Sequence, residues 1–191
     1  MTISLMPLTR TLHVGALQHL YRATPSYWAM YNYLQAPPGQ AANDMQAAEA
    51  TPGRYLMGIV QPSDVTIARS EAQNASEPVP PQQSGTGQLI GLIDFRLDWP
   101  ENATVYLGMV MVAERYQRQG IGTAAWQLLR PWLQTEGKMT KARLAVEQFN
   151  TKGLQFFQSL GFQLTGDADR LKVGERFVRL LYMEFDLHSL L

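Results

Sequence analysis

The sequence predicts an α/β fold in which a mixed β-sheet carries helices on both faces. Residues 104–112 read as a strand that is apolar on both faces, which is typical of a central strand. Residues 120–136 read as a helix, because their apolar residues recur at helical spacing. These apolar positions are Ile121, Ala124, Ala125, Leu128, Leu129 and Trp132. Residues 177–187 alternate in polarity, which predicts a final strand with one buried face.

The other elements are predicted from shorter patterns. Strands are expected at 2–8, 53–60, 89–97 and 142–146, and helices at 12–21, 26–34, 40–50 and 150–160. Asn150 is suited to cap the last of these helices, and Gly161 follows its final turn. Pro131 lies inside the helix at 120–136, where a proline is expected to kink the helix or end it early.

Composition narrows the functional class. The 191 residues favour one domain, and the 16 Lys and Arg residues balance 16 Asp and Glu, which argues against a nucleic-acid partner. The apolar runs are too short to span a membrane and no signal-peptide pattern is visible, so we expect a cytoplasmic protein with no membrane partner. The absence of cysteine excludes disulfides, thiolate nucleophiles and Cys-based metal sites, and the three histidines lack ligand spacing, so no metal is predicted.

One segment differs in composition from the rest of the chain. Residues 69–88 are rich in Pro, Gln and Ser, and Val79 is their only large apolar residue. Such a stretch buries too little surface to offset the entropy of ordering it. We therefore expect a solvent-exposed insertion within the single domain 1–191, between two strands of the same sheet.

The junction between the central strand and the following helix carries the clearest chemical signal. It reads Gln117-Arg118-Gln119-Gly120-Ile121-Gly122, so the helix begins at a Gly-x-Gly. The first turn of a helix has unpaired N–H groups and the positive end of the helix dipole, and glycine lets a ligand approach the backbone. This predicts an anion site suited to a diphosphate. It is not a P-loop, because no Gly-Lys-Ser/Thr follows. It is not a dinucleotide fingerprint either, because it has only two of the three glycines of that motif.

This junction resembles motif A of the GNAT family of N-acetyltransferases, whose pattern is Gln/Arg-x-x-Gly-x-Gly/Ala after a central strand. Val112 stands five residues before Gln117, where the family has an apolar residue. The segment from Asn150 to Phe162 is similar to the family's Asn-x-x-Ala/Gly…Phe-Tyr-x-x-Leu-Gly-Phe element, and residues 181–185 are similar to its last strand. The resemblance covers residues 89–187. It implies the GNAT fold, a mixed sheet in which two parallel strands splay apart.

The resemblance also implies acetyl-CoA as a cosubstrate, bound in a V-shaped opening between the strands at 104–112 and 142–146. Backbone N–H groups of residues 117–123 would hold the pyrophosphate. The pantetheine arm would run along residues 109–112, where an N–H near Val110 or Val112 would polarise the thioester carbonyl. Asn150 would bond the pantetheine or the strand edge, a role compatible with capping. The residues implied to bind the cosubstrate are Val110, Met111, Val112, Gln117, Arg118, Gln119, Gly120, Ile121, Gly122, Thr123, Asn150 and Phe157.

Four residues are candidates for the acid–base chemistry: Glu147, Asp94, Tyr106 and Tyr182. Glu147 stands two residues after Ala145, where some family members have a glutamate, and alternation puts both on one strand face. The alternative interpretation is that Glu147 is a solvated residue at the end of a strand. Asp94 lies in an apolar strand, where a salt bridge to Arg96 is the alternative. Tyr106 and Tyr182 are candidate acids, because Phe157 stands where many members have a tyrosine that protonates the thiolate.

The expected function is acetyl transfer from acetyl-CoA to a primary amine of a small molecule or protein, directly in a ternary complex. The family builds its acceptor pocket from the first helices, where the sequence has Tyr27, Trp28, Tyr31 and Tyr33. At helical spacing such residues are also typical of a core. The alternative function is a CoA-binding GNAT-fold module with weak or no catalysis, which the missing tyrosine favours. The acceptor and the oligomeric state, including a homodimer, stay open.

Overall fold

The computed structural model describes residues 2–62, 87–173 and 175–189. They form a seven-stranded sheet in the order β1-β2-β3-β4-β5-β7-β6. The strands are β1 (Ser4–Pro7), β2 (Arg54–Pro62), β3 (Gly87–Arg96), β4 (Thr104–Val112), β5 (Lys141–Glu147), β6 (Gln163–Val173) and β7 (Arg176–Asp186). The helices are α1 (Arg10–Arg22), α2 (Pro25–Met30), α3 (Gln40–Ala50), α4 (Ile121–Thr135) and α5 (Thr151–Ser159). The predicted mixed sheet is confirmed.

The central strands β4 and β5 separate along their length. They pair in parallel only where residues 104–107 face residues 141–144, although β4 continues to Val112 and β5 to Glu147. The other pairings between neighbouring strands are antiparallel. On its other side β4 stays paired with β3, with a register shift that leaves Gly108 as an extra residue. The result is a V-shaped opening bounded by the unpaired ends of β4 and β5.

Two hydrophobic cores cover the two faces of the sheet. Helix α4 buries Ile121, Ala125 and Leu129 against one face, and α5 packs there through Phe156 and Phe157. Helices α1 to α3 bury a second set on the other face: Leu17, Leu20, Tyr21, Trp28, Ala41 and Met45. Each face of the opening is therefore bordered by different helices.

Helix α4 departs from the sequence prediction in two respects. It continues through Pro131 to Thr135, so the predicted early end is wrong. Proline has no N–H, so Pro131 cannot donate the helical hydrogen bond to the Gln127 carbonyl. Both residues are exposed, so water can bond that carbonyl instead. The buried stripe is also shifted, because Trp126 and Leu133 are buried while Leu128 is 48% and Trp132 39% exposed.

Two further segments differ from expectation. The aromatic helix predicted at 26–34 ends at Met30, and β6 had no counterpart in the prediction. Strand β6 is the edge of the sheet and is exposed along most of its length, so no buried face imposes alternation on its sequence. The predicted insertion at 69–88 lies outside the described residues, apart from Gly87 and Gln88, which begin β3. Within the described ranges, no helix has both the length and the apolar character that a membrane crossing requires.

Candidate active site

A groove of about 690 Å³ opens at the start of α4, beside the end of β4. The loop before the helix holds two residues in the left-handed region, Arg118 at φ 59° and Gly120 at φ 77°. Left-handed residues in a loop can turn neighbouring N–H groups toward one side, as they do in anion-binding nests. No side chain from the described part of the chain caps the helix at Gly120. The N–H groups of its first turn are thus available to a ligand in the groove.

The two glycines of the Gly-x-Gly serve different purposes. Gly120 has the left-handed conformation that glycine adopts most readily. A Cβ at this position would point into open space, with no described atom within 4 Å. Gly122 has ordinary helical backbone, but a Cβ there would lie 2.9 Å from Cζ of Phe156. Gly120 therefore shapes the loop, whereas Gly122 lets α4 approach α5 across the inner end of the groove.

Most of the predicted cosubstrate residues come together around this groove. Its lining contains eight of them: Val110, Val112, Gln117, Arg118, Gly120, Ile121, Gly122 and Thr123. Gln117 Nε2 also donates to the Val112 carbonyl at 2.8 Å, which fixes the loop on the end of β4. Gln119 does not line the groove, because its side chain turns back and donates to the Arg115 carbonyl at 2.8 Å.

The sequence analysis missed the side of the groove contributed by α5. Lys152, Gly153, Gln155 and Phe156 line it opposite the α4 loop, and Tyr116 lines it from the loop itself. Lys152 stands two residues after the N-cap Asn150, where a cation is unfavourable for the helix dipole. A lysine at that position is the sequence signal that could have placed α5 beside the predicted anion site.

The groove continues into the opening between β4 and β5, whose volume is about 480 Å³. Met111, Asn150 and Phe157, the other predicted cosubstrate residues, line this opening. Asn150 caps α5 by accepting a hydrogen bond from the Gly153 N–H at 3.0 Å. The Phe157 ring is half-buried and lies edge-on to the rings of Phe156 and Phe162, at 5.0 and 5.5 Å between centroids.

Glu147 lies at the far side of the opening and is only 8% exposed. Alternation along β5 points Ala142, Leu144 and Val146 into the core around α4, and Glu147 toward α2. There its Oε1 accepts a hydrogen bond from the Tyr31 hydroxyl. The predicted alternative of a solvated strand end is therefore wrong, because Tyr31 and the pocket wall cover the carboxylate.

The aromatic residues near α2 divide between pocket and core. Tyr27 and Tyr31 line the opening, with ring centroids 5.4 Å apart. Burial, and then the charge of Glu147, raise the pKa of Tyr27 to about 12. Burial also raises the pKa of Tyr31, so both hydroxyls stay protonated at neutral pH. Trp28 belongs to the core and donates through Nε1 to the Tyr21 carbonyl at 2.8 Å. Tyr33 is half exposed and does not line the opening.

The other three candidate catalytic residues, Asp94, Tyr106 and Tyr182, do not line the opening. Asp94 is buried and paired with Arg54, at 3.0 Å from Nε and 2.6 Å from Nη2. The predicted salt bridge between Asp94 and Arg96 is wrong. Arg54 on β2 is a diagonal cross-strand neighbour of Asp94 on the same face of the sheet, and it takes that place. Tyr106 lies at the closed end, where β4 and β5 still pair, with its ring 4.6 Å from that of Trp99.

The pairing with Arg54 predicts a structural effect for Asp94→Asn. The amide keeps the shape but removes the charge that compensates a half-buried guanidinium. We expect a loss of about 2 kcal/mol in the free energy of unfolding, as for a hydrogen bond to a charged group. CoA affinity should stay within twofold of that of the unsubstituted protein. Urea unfolding and calorimetric titration measure these two quantities, and a large loss of turnover with unchanged stability would contradict the structural role.

Comparison with known proteins identifies the family. The model of the acetyltransferase (GNAT) family matches residues 62–162, more than half of the chain. The chain belongs to the GNAT family. It is therefore a member of an acyl-CoA-dependent N-acetyltransferase family, and the expectation from the motifs is confirmed. No curated protein sequence is significantly similar to it.

Solved structures show the same fold at low sequence identity. An acetyltransferase from Thermus thermophilus superposes with a TM-score of 0.68 at 20% identity, covering 97% of each chain. The ribosomal-protein-S18-alanine N-acetyltransferase of Escherichia coli gives a TM-score of 0.63 at 16% identity, covering 99% of this chain and 96% of that one. Spermidine N-acetyltransferase from Vibrio cholerae, in complex with CoA and spermine, gives a TM-score of 0.67 at 13% identity, covering 97% of this chain and 95% of that one. At these identities the likeness shows the GNAT fold.

Proposed function

We propose that this GNAT acetyltransferase transfers an acetyl group from acetyl-CoA to a primary amine, of a small molecule or a protein, directly in a ternary complex. One observation carries the proposal. The opening between β4 and β5 joins the groove at α4 on one side and reaches the buried carboxylate of Glu147 on the other. Two substrates can therefore meet inside the sheet.

The groove fits the anionic part of acetyl-CoA. Backbone N–H groups of residues 117–123 would hold the pyrophosphate at the positive end of the α4 dipole. Arg118 and Lys152 add positive charge from opposite walls. Open space beside Gly120 leaves room for the phosphates against the backbone. Acetyl-CoA supplies the acetyl thioester, and the unpaired edge of β4 at residues 109–112 would bind its pantetheine arm as a neighbouring strand would.

Glu147 is the base in this proposal. The acceptor nitrogen forms a bond to the acetyl carbonyl carbon, and the carbon–sulfur bond breaks. The proton lost from the nitrogen passes to Glu147, directly or through a water molecule. A backbone N–H near Val110 or Val112 would stabilise the charge on the carbonyl oxygen. Because the chain has no cysteine, an acyl-enzyme on a thiol is excluded, which supports direct transfer.

The departing thiolate needs a proton that Phe157 cannot give. Its ring lies in the lining of the opening, at the position where many family members have a tyrosine. Tyr106 and Tyr182, the candidate acids predicted from the sequence, do not line the opening, and the Tyr31 hydroxyl is engaged with Glu147, so water is the proposed donor. The same feature favours the second candidate function, a CoA-binding module with weak catalysis.

Two measurements separate these functions. Calorimetric titration with CoA tests binding, and consumption of the acetyl-CoA thioester with a panel of primary amines tests transfer. We expect CoA binding and amine-dependent thioester consumption. Binding without amine-dependent consumption would support the CoA-binding module, and absence of both would contradict the assignment of the groove.

Phe157→Tyr is expected to raise kcat several-fold. The substitution adds one hydroxyl to a ring that already lines the opening, and general-acid assistance is typically worth about 10² to 10⁴ in rate when proton transfer limits turnover. If the new hydroxyl reaches the opening that the ring lines, it can bond water there and the melting temperature should not fall. Phe177→Tyr, at an exposed ring near the start of β7, is the matched control. A lower melting temperature with unchanged kcat would remove Phe157 from the thioester site.

A further inference from the structure

The acceptor side of the opening has an aromatic and apolar wall. Tyr27, Met30 and Tyr31 contribute from α2 and the residue after it, and Met111 and Phe149 contribute from the strand side. Among the described lining residues, Glu147 is the sole acid, and Lys152 lies toward the groove. An acceptor bound here therefore meets one negative charge beside aromatic and apolar side chains and the uncharged hydroxyls of Thr24 and Ser26.

Glu147 has no cationic partner among the described residues within ion-pair distance. The Tyr31 hydroxyl satisfies one of its oxygens, and a second carboxylate oxygen is left for a ligand. A buried carboxylate with no cation is costly, and a bound cation relieves that cost. The site is thus electrostatically matched to an ammonium group.

The rings of Tyr27 and Tyr31 add to this match. They pack against each other with centroids 5.4 Å apart at a tilt of 57°, and both line the opening together with the carboxylate. Aromatic faces attract an ammonium group and pack against apolar groups. Because both tyrosines are neutral, they add no second charge to the wall.

A pair of hydrogen bonds limits what can extend from this pocket. Tyr31 donates to Glu147 at the end of β5, and the next residue, Asn32, accepts from Arg176 Nη2 at 2.8 Å at the start of β7. These bonds tie the segment after α2 to two neighbouring strands across the acceptor side. A long polypeptide lying along β5 and β7 would have to break the second bond.

We infer that the acceptor is a small primary monoamine with one apolar or aromatic substituent, bound as its ammonium ion between Glu147 and the Tyr27 and Tyr31 rings. The ammonium ion gives one proton to Glu147 before its nitrogen attacks the thioester carbon, and the proton released from the nitrogen after the attack reaches the departing thiolate through water. The inference rests on the proposed function. A carboxylate beside the amine would face Glu147 and be repelled, and a polyamine would bring charges that the wall does not compensate. An aralkylamine such as 2-phenylethylamine has one primary amine, an aromatic substituent and no further charge, so it fits this description.

Four acceptors test the class with the unsubstituted protein. 2-Phenylethylamine carries the proposed features, phenylalanine adds a carboxylate, spermidine adds charges, and a peptide with N-terminal phenylalanine adds an extended chain. We expect kcat/KM for 2-phenylethylamine to exceed each of the others at least tenfold. Preference for spermidine, phenylalanine or the peptide would overturn the inferred class but leave the acetyltransferase proposal intact. CoA binding without transfer to any of them, or to other amines, would overturn both.

Binding measurements test the charge match without turnover. Calorimetry of the CoA-saturated protein should show 2-phenylethylamine binding at least tenfold tighter than the neutral 2-phenylethanol. Glu147→Gln should remove that difference, whereas Glu136→Gln, at the exposed end of α4, should preserve it. Equal affinity for the amine and the alcohol in the unsubstituted protein would overturn the inference, whether or not the Glu147 variant folds.

Discussion

Glu147→Gln lowers kcat about 100-fold in our account. General-base assistance typically accelerates a reaction about 10² to 10⁴-fold. We expect the lower end of that range, because water can take over as the base in the variant. The amide keeps the volume of the side chain and can still accept the hydrogen bond from Tyr31. The fold and the groove at α4 should therefore be preserved. Steady-state kinetics at saturating acetyl-CoA and amine measures the effect.

Two controls accompany this variant. Glu136→Gln changes the net charge by the same amount at an exposed position and should leave kcat unchanged. The Kd for CoA of Glu147→Gln should stay within twofold, because Glu147 does not line the groove at α4. A kcat within threefold of that of the unsubstituted enzyme would remove Glu147 as the base.

Gly120→Glu weakens binding of acetyl-CoA at least tenfold, equivalent to about 1.4 kcal/mol. The new carboxylate would stand where the pyrophosphate is expected, at the start of α4. The substitution also forces a non-glycine residue into a φ of 77°, so part of the effect is backbone strain rather than charge. Calorimetric titration with CoA measures the loss, and thermal unfolding verifies that the domain is folded.

Gly120→Gln separates these two contributions. It has nearly the same size and the same backbone strain, but no charge. We expect the glutamate variant to bind CoA several-fold more weakly than the glutamine variant, with a difference that shrinks in high salt. Equal affinity of both variants and the unsubstituted protein would contradict a pyrophosphate site at this helix start.

Local patterns predicted the elements that have strong local determinants. Strand β4 and helix α3 have the predicted bounds, since the first is apolar on both faces and the second is a run of helix formers stopped by Pro52 and Gly53. The junction at Gly120 was predicted for the same reason: the loop, the left-handed glycine and the helix start are neighbours in sequence. The α4 side of the groove follows from those few residues, whereas its α5 side does not.

Features made by distant residues were not predictable in this way. Tyr31 and Glu147 are 116 positions apart, and nothing in either segment specifies the other. Asp94 was assigned the wrong partner because the choice between Arg54 and Arg96 depends on strand order and register. Strand β6 was missed because an exposed edge carries no burial pattern. Partial burial of Leu128 and Trp132 depends on how α4 packs against its neighbours.

Transfer of a labelled acetyl group tests the central claim most directly. The protein is incubated with acetyl-CoA labelled in the acetyl group and with a panel of primary amines, and the products are analysed by mass spectrometry. We predict that one amine gains the labelled acetyl group, with one free CoA formed per acetylated amine and no labelled protein intermediate. CoA bound at the groove with no amine acetylated above the rate without protein would contradict the account.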